Sequence, residues 1–178
     1  MNQLRLATRG SPLALWQAEE TKRLLLAAEP QRSVDLELVQ SAGDKDARTE
    51  LSRFGLTGIF TAEVDHAVLS GVAQVGVHSL KDMPTTLDEK FQLAAVLERA
   101  AVRDVLVSKD GFDIASLPQG ARVGTSSVRR AKQVAFLRPD LEILDLRGNV
   151  PTRLRKLADG DVYDAILLAE AGMQRLGY

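Results

Sequence analysis

The sequence predicts an α/β protein with two lobes, each built on a parallel or mixed sheet with flanking helices. Short apolar runs, typical of buried parallel strands, alternate with helical segments along the chain. Both halves also run in the same order: strand, serine-capped helix, strand, helix, strand. With 178 residues, of which 45% are hydrophobic, the chain is long enough and apolar enough to pack two small lobes.

The first half opens with a strand and a capped helix. Residues 4–7 alternate in polarity as a strand does, and Ser11 is placed to cap a helix over residues 13–28. Pro12 suits the first turn of that helix and Pro30 ends it. The elements expected after it are a strand over 34–40, a polar loop over 41–53, a helix over about 61–70 and a buried strand over 75–79.

The second half repeats this order after a connecting segment. We assign residues 1–97 to the first lobe, 98–104 to a hinge and 105–178 to the second lobe. The elements expected in the second lobe are a strand over 122–124, a helix over 128–137, a strand over 141–146, a helix over 150–158 and a strand over 163–169. Ser126 or Ser127 is expected to cap the first of these helices, and Pro139 to end it. Ligand groups at the strand ends of two such lobes predict a binding site in the cleft between them.

Composition argues against several classes of site and partner. The chain has no cysteine and two histidines, so we expect no disulfide and no metal site. No apolar run of about 18 residues and no signal peptide is recognisable, so we expect a cytoplasmic protein that does not bind membranes. Aromatic residues make up 4% of the chain, which is too few for a platform that stacks bases, and nucleic-acid binding is the least favoured hypothesis.

Basic residues are concentrated in the second half. Between Arg122 and Lys156 nine basic residues stand against three acidic ones, a net charge of +6. The rest of the chain carries −7, because the whole carries −1. A locally basic face on a nearly neutral chain indicates an anionic ligand of limited size rather than a nucleic-acid duplex.

Two arginines fall in the first turn of the helix predicted over 128–137. Arg129 and Arg130 there face the positive end of the helix dipole, which disfavours cations by about 0.3–1 kcal/mol each. An anionic ligand would compensate, held by the guanidinium groups, the serine hydroxyls and the unpaired N–H groups of residues 125–128. The alternative is that both arginines reach to solvent or to Asp145.

Two further strand ends carry arginines. Arg147 and Gly148 follow a predicted strand, Arg153 lies in the next helix, and the glycine allows the backbone to approach a ligand closely. The alternative is a turn glycine beside a surface arginine. Arg9 and Ser11 occupy the equivalent turn in the first half, where Ser11 also suits a plain helix cap.

A lysine and an aspartate stand side by side after the predicted strand 75–79. Lys81 and Asp82 precede Pro84, which turns the chain. An aspartate kept ionised by nearby cations can stabilise a developing positive charge or shuttle a proton. The alternative is a solvated pair in a loop. We expect His78 to be a packed residue rather than a catalytic one.

Four motifs resemble the signatures of the hydroxymethylbilane synthases, also called porphobilinogen deaminases. They are RLATRGSPLALWQA at 5–18, VHSLKDMP at 77–84, VGTSSVRR at 123–130 and LRGNV at 146–150, and the resemblance runs from about Leu4 to Tyr178. It implies two lobes like those of type II periplasmic binding proteins, followed by a third domain. It also implies a transferase of haem biosynthesis, in which four porphobilinogen molecules lose ammonia and join head to tail into the linear tetrapyrrole hydroxymethylbilane.

The resemblance also implies roles for individual residues. Asp82 is implied to be the catalytic carboxylate, which holds the pyrrole N–H and steadies the cationic azafulvene formed as ammonia leaves. Each pyrrole carries an acetate and a propionate, and the residues implied to bind cofactor and substrate carboxylates are Arg9, Ser11, Lys81, Arg129, Arg130, Arg147, Arg153 and Arg175. Further positions that match the family near its site are Gln17, Arg99, Thr125, Ser126, Ser127 and Gly148.

The sequence departs from the family pattern in two respects. The mobile cleft loop of the family carries lysines and a Gly-Gly-Lys-Gly pattern, whereas residues 53–60 read RFGLTGIF. Arg53 can replace one of the family's cationic side chains and Phe60 its aromatic side chain. Thr57 cannot supply the second cationic side chain. The family also anchors a dipyrromethane cofactor to a cysteine of its third domain, and this chain contains no cysteine.

We therefore expect this chain to be the N-terminal portion of such an enzyme, or a truncated relative, in which the first lobe lacks its return segment. Alone it should not elongate a tetrapyrrole, and the full-length protein is expected to be a monomer that binds porphobilinogen and oligopyrrole intermediates. The alternative hypothesis is a module that binds a polycarboxylate without chemistry.

Overall fold

The computed structural model describes residues 3–39 and 61–178, which fall into two compact units, Met1–Glu98 and Arg99–Tyr178. Strands and helices alternate in both units, which confirms the predicted α/β class. The predicted loop over 41–53, together with Arg53, Thr57 and Phe60, lies outside the described residues.

The first unit contains a parallel sheet in the order β2-β1-β3. Its strands are β1 (Gln3–Arg9), β2 (Ser33–Val39) and β3 (Val75–Gly76), and its described helices are α1 (Pro12–Ala28) and α2 (Ala62–Leu69). Strand β1 pairs with β2 from Gln3↔Ser33 to Arg9↔Val39. Three successive β1 residues, Leu6, Ala7 and Thr8, are completely buried, as expected for a central strand covered on both faces.

The strand predicted over 75–79 is shorter than expected. Val77 still donates its N–H to the carbonyl of Ala7 at 2.9 Å, but the strand itself ends at Gly76. A 3-10 turn over Leu80–Asp82 follows, closed by the N–H of Asp82 donating to the carbonyl of Ser79 at 2.9 Å. The chain therefore turns away from the sheet where Lys81 and Asp82 stand.

The second unit contains a mixed sheet in the order β4-β7-β5-β6. Its strands are β4 (Asp104–Ser108), β5 (Arg122–Gly124), β6 (Glu142–Leu144) and β7 (Ala165–Ala169), and its helices are α3 (Val128–Leu137), α4 (Val150–Asp159) and α5 (Glu170–Arg175). Strands β5, β6 and β7 are parallel, whereas β4 runs antiparallel to β7.

Strand β7 is the centre of the second core. Ala165 and Leu167 pack in one apolar cluster with Val123 and Val134, whereas Ile166 and Leu168 pack in another. This alternation follows the two-residue period of a strand, so both faces of β7 are covered. An apolar run without polar interruption is the sequence pattern that such a strand requires.

The segment before β4 has no regular structure. Residues 91–103 form neither helix nor strand, while Asp104, the last residue of the predicted hinge, opens β4 and pairs with Ala169. The pairing of β4 with β7 draws Asp104 into the sheet. Within the described ranges, no helix is long and apolar enough to cross a membrane.

Candidate functional site

In the first unit, Arg9 and Ser11 lie where the central strand passes into α1. Arg9 ends β1, and the hydroxyl of Ser11 accepts a hydrogen bond from the N–H of Ala14 at 3.3 Å, which caps the helix. Pro12 occupies the first helical position, where its missing N–H has no intrahelical partner to lose. Local sequence therefore explains how both side chains come to the carboxyl end of β1.

Gln17 connects this helix to the segment that follows β3. The hydroxyl of Ser79 donates to Oε1 of Gln17 at 2.9 Å, so the first turns of α1 contact the start of the turn that carries Lys81 and Asp82. Both Lys81 and Asp82 are exposed to solvent. Ser79 was not among the predicted site residues, although its position inside the motif at 77–84 was a usable signal.

His78 packs beneath this turn. Its Nε2 lies 3.3 Å from Oδ1 of Asp65 on α2, and a Cβ built on Gly76 would lie 3.0 Å from the same nitrogen. Burial lowers the pKa of His78 below its ordinary value, against the opposing effect of Asp65. The charge of Asp82 acts to raise this pKa and the charge of Arg9 acts to lower it.

In the second unit, Ser127 rather than Ser126 caps α3. Its hydroxyl accepts from the N–H of Arg130 at 3.5 Å, and Arg130 therefore lies in the first turn with Arg129. The expectation of unpaired N–H groups over 125–128 is wrong for two residues. The N–H of Thr125 continues the β5–β6 ladder and donates to the carbonyl of Leu144 at 2.9 Å. The N–H of Ser127 closes a local turn and donates to the hydroxyl of Thr125 at 3.1 Å.

Arg129 and Arg130 share one carboxylate, that of Asp104. Nε and Nη2 of Arg130 lie 3.0 and 2.7 Å from Oδ1 of Asp104, and Nη1 of Arg129 lies 2.8 Å from Oδ2. The acid that both arginines contact is Asp104 and not the Asp145 of the alternative, whereas the solvent exposure that the alternative expected holds for Arg129, which is 60% exposed. The pKa of Asp104 is lowered: burial acts to raise it, but the hydrogen bonds and charges of both arginines outweigh burial.

The loop after β6 carries the next two arginines. Nε of Arg147 donates to Oδ2 of Asp145 at 2.8 Å, and Nε of Arg153 donates to the carbonyl of Gly148 at 2.7 Å. Burial lowers the pKa of Arg153, the charge of Arg130 lowers it further, and Asp145 opposes both. Arginines thus stand in the first turns of both α3 and α4, and the charge of Arg130 in α3 acts on Arg153 in α4.

Three hydrogen bonds fix this loop. The hydroxyl of Ser126 donates to the carbonyl of Leu146, and the hydroxyl of Tyr163 donates to the carbonyl of Asp145 at 2.7 Å. Asn149 caps α4, because its Oδ1 accepts from the N–H of Thr152 at 2.9 Å. Tyr163 and Asn149 were not among the predicted site residues, although Asn149 lies inside the motif at 146–150.

Sheet topology explains why these groups converge. The carboxyl ends of parallel strands meet at one edge, so Thr125 after β5 and Asp145 after β6 lie side by side. Because β4 is antiparallel to β7 and Asp104 pairs with Ala169, the amino end of β4 reaches the same edge. We call this region the arginine edge, and it consists of Arg129, Arg130, Arg147 and Arg153 with Asp104 and Asp145.

Four further predicted residues complete the set, two of them described and two outside the described ranges. Arg99 is exposed in the irregular segment 91–103, and Arg175 ends α5, the helix that follows β7. Arg53 and Phe60 are not described. Among the residues that are described, no group of three or more His, Cys, Asp or Glu side chains is arranged to hold a metal ion.

Comparisons with known proteins match almost the whole chain. A family model described as "Porphobilinogen deaminase, dipyromethane cofactor binding domain" matches residues 4–178. Curated relatives named porphobilinogen deaminase are 51% identical over 177 residues in Xanthomonas axonopodis pv. citri, 49% over 176 in Sulfurimonas denitrificans and 47% over 177 in Syntrophomonas wolfei. These matches cover 99% of this chain but 58%, 56% and 58% of the relatives, so the chain spans little more than half of their length.

Solved structures also match this chain. An ancestral cationic amino acid solute binding protein aligns with 94% of this chain and 69% of its own, with a TM-score of 0.49 and 15% identity.

Proposed function

The chain belongs to the porphobilinogen deaminase family, and from that membership we propose that its two units supply the binding and catalytic groups of an enzyme that joins four porphobilinogen molecules into hydroxymethylbilane. Residues 1–97 and 105–178 are proposed to act as two lobes connected through 98–104. The family match supports the reaction class, and the geometry of each unit supports the assignment of roles.

The arginine edge is the observation that carries this proposal. Four guanidinium groups and two carboxylates lie there, and Nζ of Lys156 donates to the carbonyl of Arg147 at 3.0 Å, so cations outnumber acids among these residues at one end of the sheet. A surplus of closely spaced cations is unfavourable unless an anion binds, and guanidinium groups match carboxylates in geometry. Porphobilinogen carries an acetate and a propionate, and these two carboxylates are anions of the kind that such an edge binds.

The same chemistry fits the dipyrromethane cofactor that the family description names. Such a group brings further pyrrole carboxylates to the site, and the residues that would hold it are Arg129, Arg130, Arg147 and Arg153, with Ser126, Ser127, Thr125 and Gly148 beside them. Arg99 and Arg175 are also proposed as binding residues. Arg9, Ser11, Gln17 and Lys81 are proposed for the first unit, with Arg53 and Phe60 from its undescribed segment.

Asp82 is proposed as the catalytic carboxylate. It is exposed at the end of the turn after β3, and the charges of Asp82 and Arg9 both act on His78. When the C–N bond of the protonated aminomethyl group breaks, nitrogen leaves with the electron pair as ammonia and the pyrrole becomes an azafulvene cation. A carboxylate beside the pyrrole N–H accepts its hydrogen bond and stabilises this positive charge.

The test compares turnover of porphobilinogen by the complete gene product and by two variants. Asp82→Ala should lower the rate of ammonia release by about 10²–10⁴-fold, the range for loss of a positioned acid–base group. Asp88→Ala is the matched control, because Asp88 is an exposed aspartate of the same segment whose Oδ2 lies 4.0 Å from Nζ of Lys90, and it should retain the parental rate. Equal turnover by Asp82→Ala and the parent would refute the role of Asp82.

The competing hypothesis is a module that binds polycarboxylates without chemistry. Calorimetric titration with porphobilinogen and with simple dicarboxylates separates the two. Tight binding of both without ammonia release by the complete gene product would support the binding module and reject the enzyme.

A further inference from the structure

Asp104 lies between the two arginines at the start of α3. Its two oxygens are divided between them: Oδ1 accepts from Arg130 and Oδ2 accepts from Arg129. The carboxylate is largely buried, with 22% of its side chain exposed, and it comes from β4 rather than from the helix that carries the arginines. One acid therefore determines where two cations stand.

Arg130 is held on all three of its nitrogens. Nε and Nη2 donate to Asp104, and Nη1 donates to the carbonyl of Leu167 on β7 at 3.2 Å. Its side chain is 10% exposed, so the guanidinium is both desolvated and fixed. A buried cation of this kind requires a nearby anion, and Asp104 supplies it.

Arg129 has a different environment. Its side chain is 60% exposed, and its hydrogen bonds to described residues use Nη1 alone, which donates to Asp104 at 2.8 Å and to Oε1 of Gln133 at 3.2 Å. Nε and Nη2 make no hydrogen bond to the described part of the chain. One edge of this guanidinium is therefore oriented by Asp104 while the other is open.

We propose that Asp104 is a positioning residue for the ligand: it holds Arg130 as a fixed buried cation and orients Arg129 so that its open edge receives a carboxylate of the substrate. This inference rests on the proposed function for the identity of the ligand. It assigns the two adjacent arginines different tasks, which their adjacency in the sequence does not reveal.

Removing the charge of Asp104 has two effects on ligand affinity, and they are opposite in sign. The negative charge beside the arginine edge is lost, which favours any anion that needs no particular orientation. The fixed position of Arg129 is also lost, which disfavours a ligand whose carboxylates must meet guanidinium groups at set places. The affinity for a small symmetric anion is therefore governed by the first effect and does not fall, whereas the affinity for porphobilinogen is governed mainly by the second effect and falls.

The experiment measures the affinity of the chain for porphobilinogen and for inorganic phosphate by calorimetry. In Asp104→Asn, porphobilinogen affinity should fall by about tenfold or more while phosphate affinity does not fall. Asp140→Asn is the matched control, because Asp140 accepts two hydrogen bonds from Arg138 at 2.8 and 2.7 Å in the same unit. Arg138 lies eight residues beyond Arg130, about 12 Å along α3, and this control should change neither affinity by more than about twofold.

Asp104→Glu provides a second test that keeps the charge and the buried ion pair. The longer side chain moves the carboxylate relative to Arg129, so porphobilinogen affinity should fall by about threefold or more, with phosphate affinity retained. The inference is wrong if Asp104→Asn loses affinity for both probes together, if it behaves like Asp140→Asn, or if Asp104→Glu binds porphobilinogen as the parent does. A complete gene product that binds porphobilinogen but releases no ammonia contradicts the proposed function, whereas this inference is judged on the affinities alone.

Discussion

Gly124 and Tyr163 form a contact that any side chain at Gly124 would break. A Cβ built on this glycine lies 2.8 Å from Cδ1 and 3.0 Å from Cε1 of Tyr163, and 3.1 Å from Cγ2 of Ile166. The ring has little room to move, because Tyr163 is 8% exposed and its hydroxyl is bound to the carbonyl of Asp145 at 2.7 Å. Gly124→Ala is therefore predicted to overpack the core beneath the arginine edge.

The magnitude follows from two opposing contributions. Replacing a glycine by alanine in a compatible extended conformation stabilises a protein by about 0.4–1 kcal/mol through the unfolded state. Overpacking a tight core costs about 1–3 kcal/mol, and the atoms that would collide belong to a rigid ring. The free energy of unfolding should therefore fall by about 1–2 kcal/mol in Gly124→Ala.

The assay is urea denaturation followed by circular dichroism. Gly10→Ala serves as the control, because a Cβ at Gly10 meets no atom within 4 Å, and its stability should stay within about 0.5 kcal/mol of the parent. Adding Tyr163→Leu to Gly124→Ala should remove the collision, giving a coupling energy of about 0.5–3 kcal/mol in a double-mutant cycle. A Gly124→Ala variant as stable as the parent, or a cycle without coupling, would show that the contact does not constrain the fold.

Two other predictions concern Gly148 and His78. Gly148 has φ of +120°, and a Cβ built there would lie 2.8 Å from Cγ2 of Thr152. Gly148→Ala should therefore lower the free energy of unfolding by about 1–3 kcal/mol. A urea denaturation curve that matches the parent's would contradict this prediction. Because burial lowers the pKa of His78, the unfolded chain binds its proton more readily, so stability should fall as pH drops through the unfolded value of 6.5. NMR titration should give a pKa below 6.5, and a still lower one in Asp65→Asn, since Asp65 raises it; a parental pKa at or above 6.5 would refute the assigned cause.

Much of each element could be predicted because its signals are local. Ser11 with Pro12, and Ser127 before α3, mark helix starts through hydrogen bonds that span only three residues. The apolar run of β7 likewise predicts a buried strand whatever surrounds it. Strand ends were less well predicted, since the turn at Leu80–Asp82 shortens β3 to two residues.

The sequence by itself determined the α/β class, the capped helix starts and the concentration of arginines, since each depends on neighbouring residues or on composition. Only the tertiary structure decided which acid meets those arginines. Asp104 is 26 residues from Arg130, and it reaches the arginine edge because β4 pairs antiparallel with β7. Such pairing depends on packing between distant segments, and no short stretch of sequence specifies it.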